Sequence, residues 1–200
     1  MTYPAHGEQV LFLVISGPSG AGKSTLIREF LRRQPGFVKC LSVTTRSPRG
    51  DEKDGVDYRF VSQEKFEQMV HDGEFLEHAW VYGQRYGTPR SFVADCLVAG
   101  TSVIKDVDVQ GAVHIRRSFP AAVQIFVVPP THEEIERRLR SRGTDSEDNI
   151  RRRLSEARLE LAQWAEYDYL VYNGDLAVAA EDLAAVVRAE QMRAPGRKRL

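Results

Sequence analysis

Eight consecutive residues, Gly17-Pro18-Ser19-Gly20-Ala21-Gly22-Lys23-Ser24, constrain this chain more than any other feature. They satisfy G-x-x-x-x-G-K-[ST] in full. So tight a turn needs glycines, because its backbone N–H groups must converge on phosphate oxygens. It also needs a strand before it and a helix after it, the helix aiming its positive dipole end at the same anion. Both are readable. Residues 10–16 form a continuous apolar run, as expected of a parallel strand buried on both faces. Leu26, Ile27, Phe30 and Leu31 then mark one face of a helix beginning near Lys23 and stopping at Gln34-Pro35-Gly36. In such a loop Lys23 reaches the β- and γ-phosphates and the Ser24 hydroxyl takes a Mg²⁺ position. Residues 17–25, through Thr25, are thus expected to hold a nucleoside triphosphate.

The rest of the chain fits a doubly wound α/β core around that loop. Residues 101–107 and 122–128 read as further strands, the second closed by Pro129-Pro130. Residues 169–172 make a shorter one before Asn173-Gly174. Asp175 can N-cap a last helix whose apolar stripe includes Leu176, Val178, Leu183 and Val187. Residues 41–90 break the alternation. They are rich in Thr, Arg, Asp, Gly and Tyr, with strand-like pieces at 58–61 and 75–81 and a helix over 62–71, and read as a small mixed insertion. Residues 131–163 read as a helix pair. Thr131 with Glu134 matches a capping box, Gly143-Thr144 separates the helices, and Ile150, Leu154, Ala157 and Leu161 share one face of the second. Arg151 and Arg152 are expected to be plain surface residues. The division is therefore a tail (1–9), a core (10–40, 91–130 and 164–190), the insertion, the helix pair and a second tail (191–200).

Composition narrows the class further. Lys plus Arg (28) equals Asp plus Glu (28), so the formal net charge is zero. A chain built to coat nucleic acid or an anionic membrane is usually strongly basic, so neither is expected as a partner. No apolar run is long enough to cross a bilayer, and residues 1–9 lack a signal-peptide pattern, which points to the cytoplasm. Cys40 and Cys96 have neither CxxC spacing nor His partners and read as ordinary thiols. Nothing in the pattern sets an oligomeric state.

A second signal lies at the end of the third core strand, Val103-Ile104-Lys105-Asp106-Val107-Asp108. A carboxylate at the C-terminal end of such a strand can organise Mg²⁺. Strand alternation would put Asp106 and Asp108 on one face with Ile104. Lys105 then sits mid-strand, where the pattern wants an apolar residue, and its charge must snorkel or pair.

Several segments together resemble the guanylate kinase family. They are Ser42-Val43-Thr44-Thr45-Arg46-Ser47-Pro48-Arg49-Gly50, Gly55-Val56-Asp57-Tyr58-Arg59-Phe60-Val61, Gly73-Glu74-Phe75-Leu76-Glu77, Tyr86-Gly87-Thr88, Asp106-Val107-Asp108-Val109-Gln110-Gly111 and Arg142-Gly143-Thr144. With the phosphate loop they run in the expected order over residues 8–190. The resemblance implies a nucleoside monophosphate kinase-like α/β fold: a parallel-sheet core flanked by helices, a GMP-binding insertion and a helical lid. It implies ATP and GMP as substrates, with Mg²⁺ accompanying ATP. Arg46 and Arg49 would fork onto the GMP phosphate, with Tyr58 and Tyr86 adding phenol donors. Glu77 would accept from guanine N1–H and the exocyclic amine, and Ser42, Thr88 and Asp106 would complete the acceptor contacts. Arg138, Arg142 and Arg153, together with Lys23 and Arg46, would surround the transferring phosphoryl group. Asp108 and Ser24 would hold the metal, directly or through water.

Such a reaction needs no dedicated base. The acceptor is a phosphate oxygen already anionic at neutral pH, and the transition state is chiefly charge to be positioned and neutralised. None of the five histidines falls in these motifs. Two alternatives stand beside this reading. A related kinase with another acceptor would have no use for a guanine-reading carboxylate. A non-catalytic protein-interaction module of the same fold would be expected to have an eroded phosphate loop, and this one is intact.

Overall fold

The computed structural model describes residues 9–81, 83–141 and 147–194. Its first half runs β1 (Phe12–Ser16), α1 (Lys23–Arg33), β2 (Phe37–Lys39), β3 (Val43–Thr44), β4 (Arg59–Phe60), α2 (Gln63–His71), β5 (Phe75–Val81), β6 (Gln84–Pro89) and α3 (Arg90–Val98). The second half runs β7 (Ser102–Asp106), α4 (Val109–Ser118), β8 (Val123–Val128), α5 (His132–Arg140), α6 (Glu147–Leu161), β9 (Tyr169–Tyr172) and α7 (Leu176–Gln191). The expected α/β architecture is present: a five-stranded sheet in the order β2-β7-β1-β8-β9, parallel throughout, beside a smaller mixed sheet, β4-β3-β6-β5.

The apolar run of β1 explains its central place. Leu13 and Ile15 face one side of the large sheet and pack with Leu26, Phe30, Leu183 and Val187 of α1 and α7. Phe12 and Val14 face the other and pack with Val93, Ala112 and Ile115 of α3 and α4. With both faces covered, every side chain of this strand is core. Truncating fully buried Leu13 to Ala would cost about 2–5 kcal/mol. The smaller sheet has its own core of Val43, Phe66, Met69 and Phe75, and the α5–α6 pair has a third, Ile135, Leu139 and Ala157.

Helix ends follow the capping chemistry. Ser62, Asp108, Thr131 and Asp175 each accept from a first-turn N–H of α2, α4, α5 and α7. The box at α5 closes on one side only: Thr131 accepts from the Glu134 N–H, while the Glu134 carboxylate turns to Arg137 and Arg138. Two expectations need correction. Val178 is exposed: the inward face of α7 runs Leu176, Ala179, Ala180, Leu183 and Val187 at three- and four-residue spacing, and position 178 falls off it. Asp108 does not extend β7. The strand ends at Asp106, and Asp108 turns to cap α4, so alternation does not apply to it. The Gly143-Thr144 break between α5 and α6 lies outside the described residues, as do residues 1–8 and 195–200 of the tails. No described helix is long and apolar enough to cross a membrane.

Candidate active site

The chain leaves β1 at the switch point of the large sheet, where β7 lies on one side and β8 on the other. Crevices form outside the carboxyl ends of strands at such points. The phosphate loop fills this position, and its backbone could not be built from other residues. Gly17 has φ +135°, and a Cβ there would come within 2.5 Å of the Val127 carbonyl oxygen. Gly22 has φ +87°, and a Cβ would lie 2.4 Å from the Asn173 side-chain nitrogen. Gly22 is also the N-cap of α1. Unlike α2, α4, α5 and α7, this helix has no capping side chain, and its first turn carries no acid. Its first N–H groups and dipole are left for an anion.

The loop borders a cleft of about 850 Å³. Gly17, Ser19, Lys23 and Ser24 line one end, Ser42, Tyr58, Glu77 and Tyr86 the other, and Lys105, Asp106 and Asp108 the floor between them. Thus two sets of residues, one from the phosphate loop and one from residues 42–86, face one space. The loop's anion-binding groups meet protein oxygens. Lys23 Nζ donates to the Gly17 and Pro18 carbonyls at 2.5 and 3.0 Å. The Ser19 N–H donates to the Glu160 carboxylate of α6 at 3.3 Å. Burial pushes the Glu160 carboxyl above its ordinary range, with Lys23 opposing the rise.

At the acceptor end, Glu77 on β5 is only 9% exposed. The Thr88 hydroxyl, on the neighbouring strand β6, donates to Glu77 Oε1 at 2.5 Å. Gly111 leaves room for the other oxygen: a Cβ there would sit 3.2 Å from Glu77 Oε2. Burial raises the Glu77 carboxyl above its usual range, and Thr88 and the nearby Lys105 charge work against that rise. Asp106, at the end of β7, is held below the usual range. Burial there opposes ionisation, but Lys105, Lys39 and Lys23 outweigh it. Burial also raises the Tyr58 phenol, which keeps it a neutral donor.

Arg46 is 8% exposed and already engaged: its guanidinium donates to Glu52 at 2.9 Å and to the Tyr86 hydroxyl at 3.1 Å, and lies 5.1 Å from the Tyr58 ring centre. Arg49 is exposed on the following turn, where its backbone N–H donates to the same Glu52 carboxylate. Arg46 therefore sits behind a ring of phenols, held by one exchangeable ion pair.

The helix-pair arginines divide. Arg138 donates to the carbonyls of Ala21 (3.2 Å) and Asn173 (3.1 Å) and to Glu134, which ties α5 to the outer side of the phosphate loop. It borders a second hollow of about 310 Å³ with Gly20, Gly22, Thr25 and Asn173. Arg153 is half-buried on α6 and lies off the cleft wall, while Arg152, expected to be plain surface, is part of that wall with Glu156, Leu159, Glu160 and Gln163. Helical spacing could have signalled that face, since 152, 156, 159 and 163 recur at intervals of three and four. Arg142 lies outside the described residues. Thr88 is fully buried and addresses Glu77, and Ser42 accepts from Lys105.

Comparison with known proteins agrees with this geometry. The sequence model of the family described as guanylate kinase matches residues 10–190. A guanylate kinase of Myxococcus xanthus is 50% identical over 184 residues, which are 92% of this chain and 88% of the relative. One from Vibrio cholerae is 46% identical over 189 residues, 94% of this chain and 91% of the relative. The crystal structure of guanylate kinase from Anaplasma phagocytophilum superposes with a TM-score of 0.76 at 36% identity, covering 94% of this chain and 89% of that one. Since the match spans the phosphate loop, both sheets and the helix pair together, the chain belongs to the guanylate kinase family.

Proposed function

We propose that this chain transfers the γ-phosphoryl group of ATP to the phosphate of GMP, giving ADP and GDP. The observation that carries the reading is the buried, Thr88-oriented Glu77 in the same cleft as Lys23 and the open N-terminus of α1. A carboxylate kept from water in this way needs two donors, and guanine supplies them from N1–H and the 2-amine. The second hollow, beside Thr25, Arg138 and Asn173 on the outer side of the loop, suits the donor nucleoside.

Residues 17–25 hold the triphosphate, and Lys23 leaves the Gly17 and Pro18 carbonyls for the β- and γ-phosphates. Tyr58 and Tyr86 donate to the acceptor phosphate, and Arg46 and Arg49 neutralise it after exchanging Glu52 for the new anion. Arg138, fixed against the loop, meets the phosphates from the outer side, and Arg142 and Arg153 complete the positive surround. Arg152 extends it on the cleft face of α6. The acceptor oxygen needs no deprotonation, so these groups position and neutralise rather than relay protons.

The residues present fit Mg²⁺. Ser24, Asp106 and Asp108 all offer hard oxygen atoms to the cleft. No group of three or more acidic, His or Cys side chains forms a metal cage among the described residues. Mg²⁺ is commonly held by one or two carboxylates with substrate phosphates and water, which is what this cleft offers. A bound Mg²⁺ would supply positive charge to offset the negative charge of the ATP phosphates. Closure of α6 over the cleft would exclude water that otherwise competes for the phosphoryl group.

No observation favours the non-catalytic alternative, since the loop, Lys23 and the acceptor wall are all intact. An assay of ADP release from ATP, with and without GMP, tests the proposal. GMP-dependent turnover that chelation abolishes is expected. GMP-independent hydrolysis, or none at all, contradicts it.

A further inference from the structure

Lys105 is a buried charge that the proposed mechanism leaves unused. It is 2% exposed in the middle of the central sheet, on a strand whose preceding residues, Val103 and Ile104, are core. An ion there costs stability that an aliphatic residue of similar length would not. Its ammonium reaches the cleft wall and donates to Ser42 Oγ at 2.5 Å. An ammonium has three donors and no acceptor, so Ser42 can only accept in this contact. The Ser42 proton must therefore point elsewhere, and no described residue takes it. Ser42 shares the acceptor end of the cleft with Glu77. A purine that offers N1–H to Glu77 carries its 6-substituent next along the same edge. In guanine this is a carbonyl, an acceptor. In adenine it is an amine, which would set donor against donor.

We propose that Lys105 fixes the polarity of the Ser42 hydroxyl so that the cleft presents a donor to the 6-oxo group of the acceptor purine. Lys105 is then a positioning residue for specificity, acting through Ser42. This rests on the GMP reading above, which the parent's own turnover of GMP tests separately in the same assay.

Lys105→Met keeps the length and removes the charge. The KM for GMP should rise several-fold, up to about tenfold, as for weakening one neutral hydrogen bond, with kcat much less affected. IMP, which keeps the 6-oxo group and lacks the 2-amine, should weaken by the same factor. The 5′-monophosphate of 2-aminopurine riboside keeps the amine and lacks both the 6-oxo group and the N1–H, and its binding, read by competition, should not weaken. Adding Ser42→Ala to Lys105→Met should cause little further loss. Equal weakening of all three nucleotides, additive effects of the two substitutions, or an unchanged KM for GMP would each overturn the proposal. If Lys105→Met does not fold, Ser42→Ala in the parent carries the same test: GMP must weaken and the 2-aminopurine nucleotide must not.

Discussion

The two ends of the cleft are built from different materials. The donor end is backbone: a glycine turn whose conformation only glycine allows, and a helix start with no cap of its own. The acceptor end is side chains drawn from β5, β6, β7 and the loops on either side of β3, several of them held by another side chain. Thr88 holds Glu77, Lys105 holds Ser42, and Glu52 holds Arg46. A backbone cradle accepts any polyphosphate, because every phosphate presents the same oxygens. A network of oriented side chains can instead discriminate, since each partner fixes whether a group donates or accepts. Generality at one end and selectivity at the other follow from that difference.

Lys23 should break the donor end most completely. Lys23→Ala is expected to lower kcat about 10²- to 10³-fold, the usual cost of removing one preorganised donor to a developing charge. Its melting temperature should stay close to the parent's, because Lys23 lines the cleft and its ammonium donates to carbonyls of the loop rather than joining core elements. Near-full activity would remove Lys23 from the mechanism.

Glu77→Gln should strike the acceptor end alone, lowering kcat/KM for GMP about 10²-fold while ATP affinity is kept. The same substitution has a stability signature. The folded carboxyl is raised by burial, so its stabilising contribution is complete below the ordinary carboxylate pKa and is lost as pH rises through the folded value. Glu29 and Glu134, both lowered to about 2 by their arginine partners, act in the opposite sense at lower pH. The difference in melting temperature between parent and variant isolates Glu77. Glu77→Gln should gain on the parent as pH rises through and above that range, and a constant difference would contradict the burial argument.

Thr88→Val keeps the shape and removes the hydroxyl that orients Glu77. A loss of about tenfold in kcat/KM for GMP is expected, smaller than at Glu77 itself. A loss as large as that of Glu77→Gln would mean that Thr88 touches the nucleotide directly. Glu160→Gln should have the smallest effect. Its carboxylate accepts from the Ser19 N–H where a phosphate would sit, so removing the charge should tighten ATP by a few-fold in calorimetry. Weaker ATP binding would instead make Glu160 part of the donor site.

The donor end was legible in the sequence because its chemistry is contiguous: eight neighbouring residues and the two elements they join. The capping residues Thr131 and Asp175 were legible for the same reason, since a cap acts over three residues. The acceptor end was only partly so. Glu77 and Tyr86 could be placed in a resembling motif, but Lys105 had no visible partner, because Ser42 stands 63 positions away and meets it only once both sheets form. The cleft face of α6 was missed at Arg152 although its three- and four-residue spacing was present, because spacing marks a face without showing whether it meets solvent or a cleft. Asp108 was assigned to a strand that stops two residues earlier, which pattern alone does not reveal. What sequence spacing conveys is local geometry, and what it hides is which distant polar group completes each pair.

The most direct test of this division is the ratio of kcat/KM for GMP to that for AMP, measured with saturating ATP and Mg²⁺ in the parent and in Glu77→Gln. A site built on oriented hydrogen bonds should favour GMP by about 10⁴ or more in the parent. That ratio should collapse in the variant, mainly through loss of GMP, while the KM for ATP stays constant. Comparable use of AMP by the parent, or an unchanged ratio in Glu77→Gln, would contradict the assignment of Glu77 as the guanine reader.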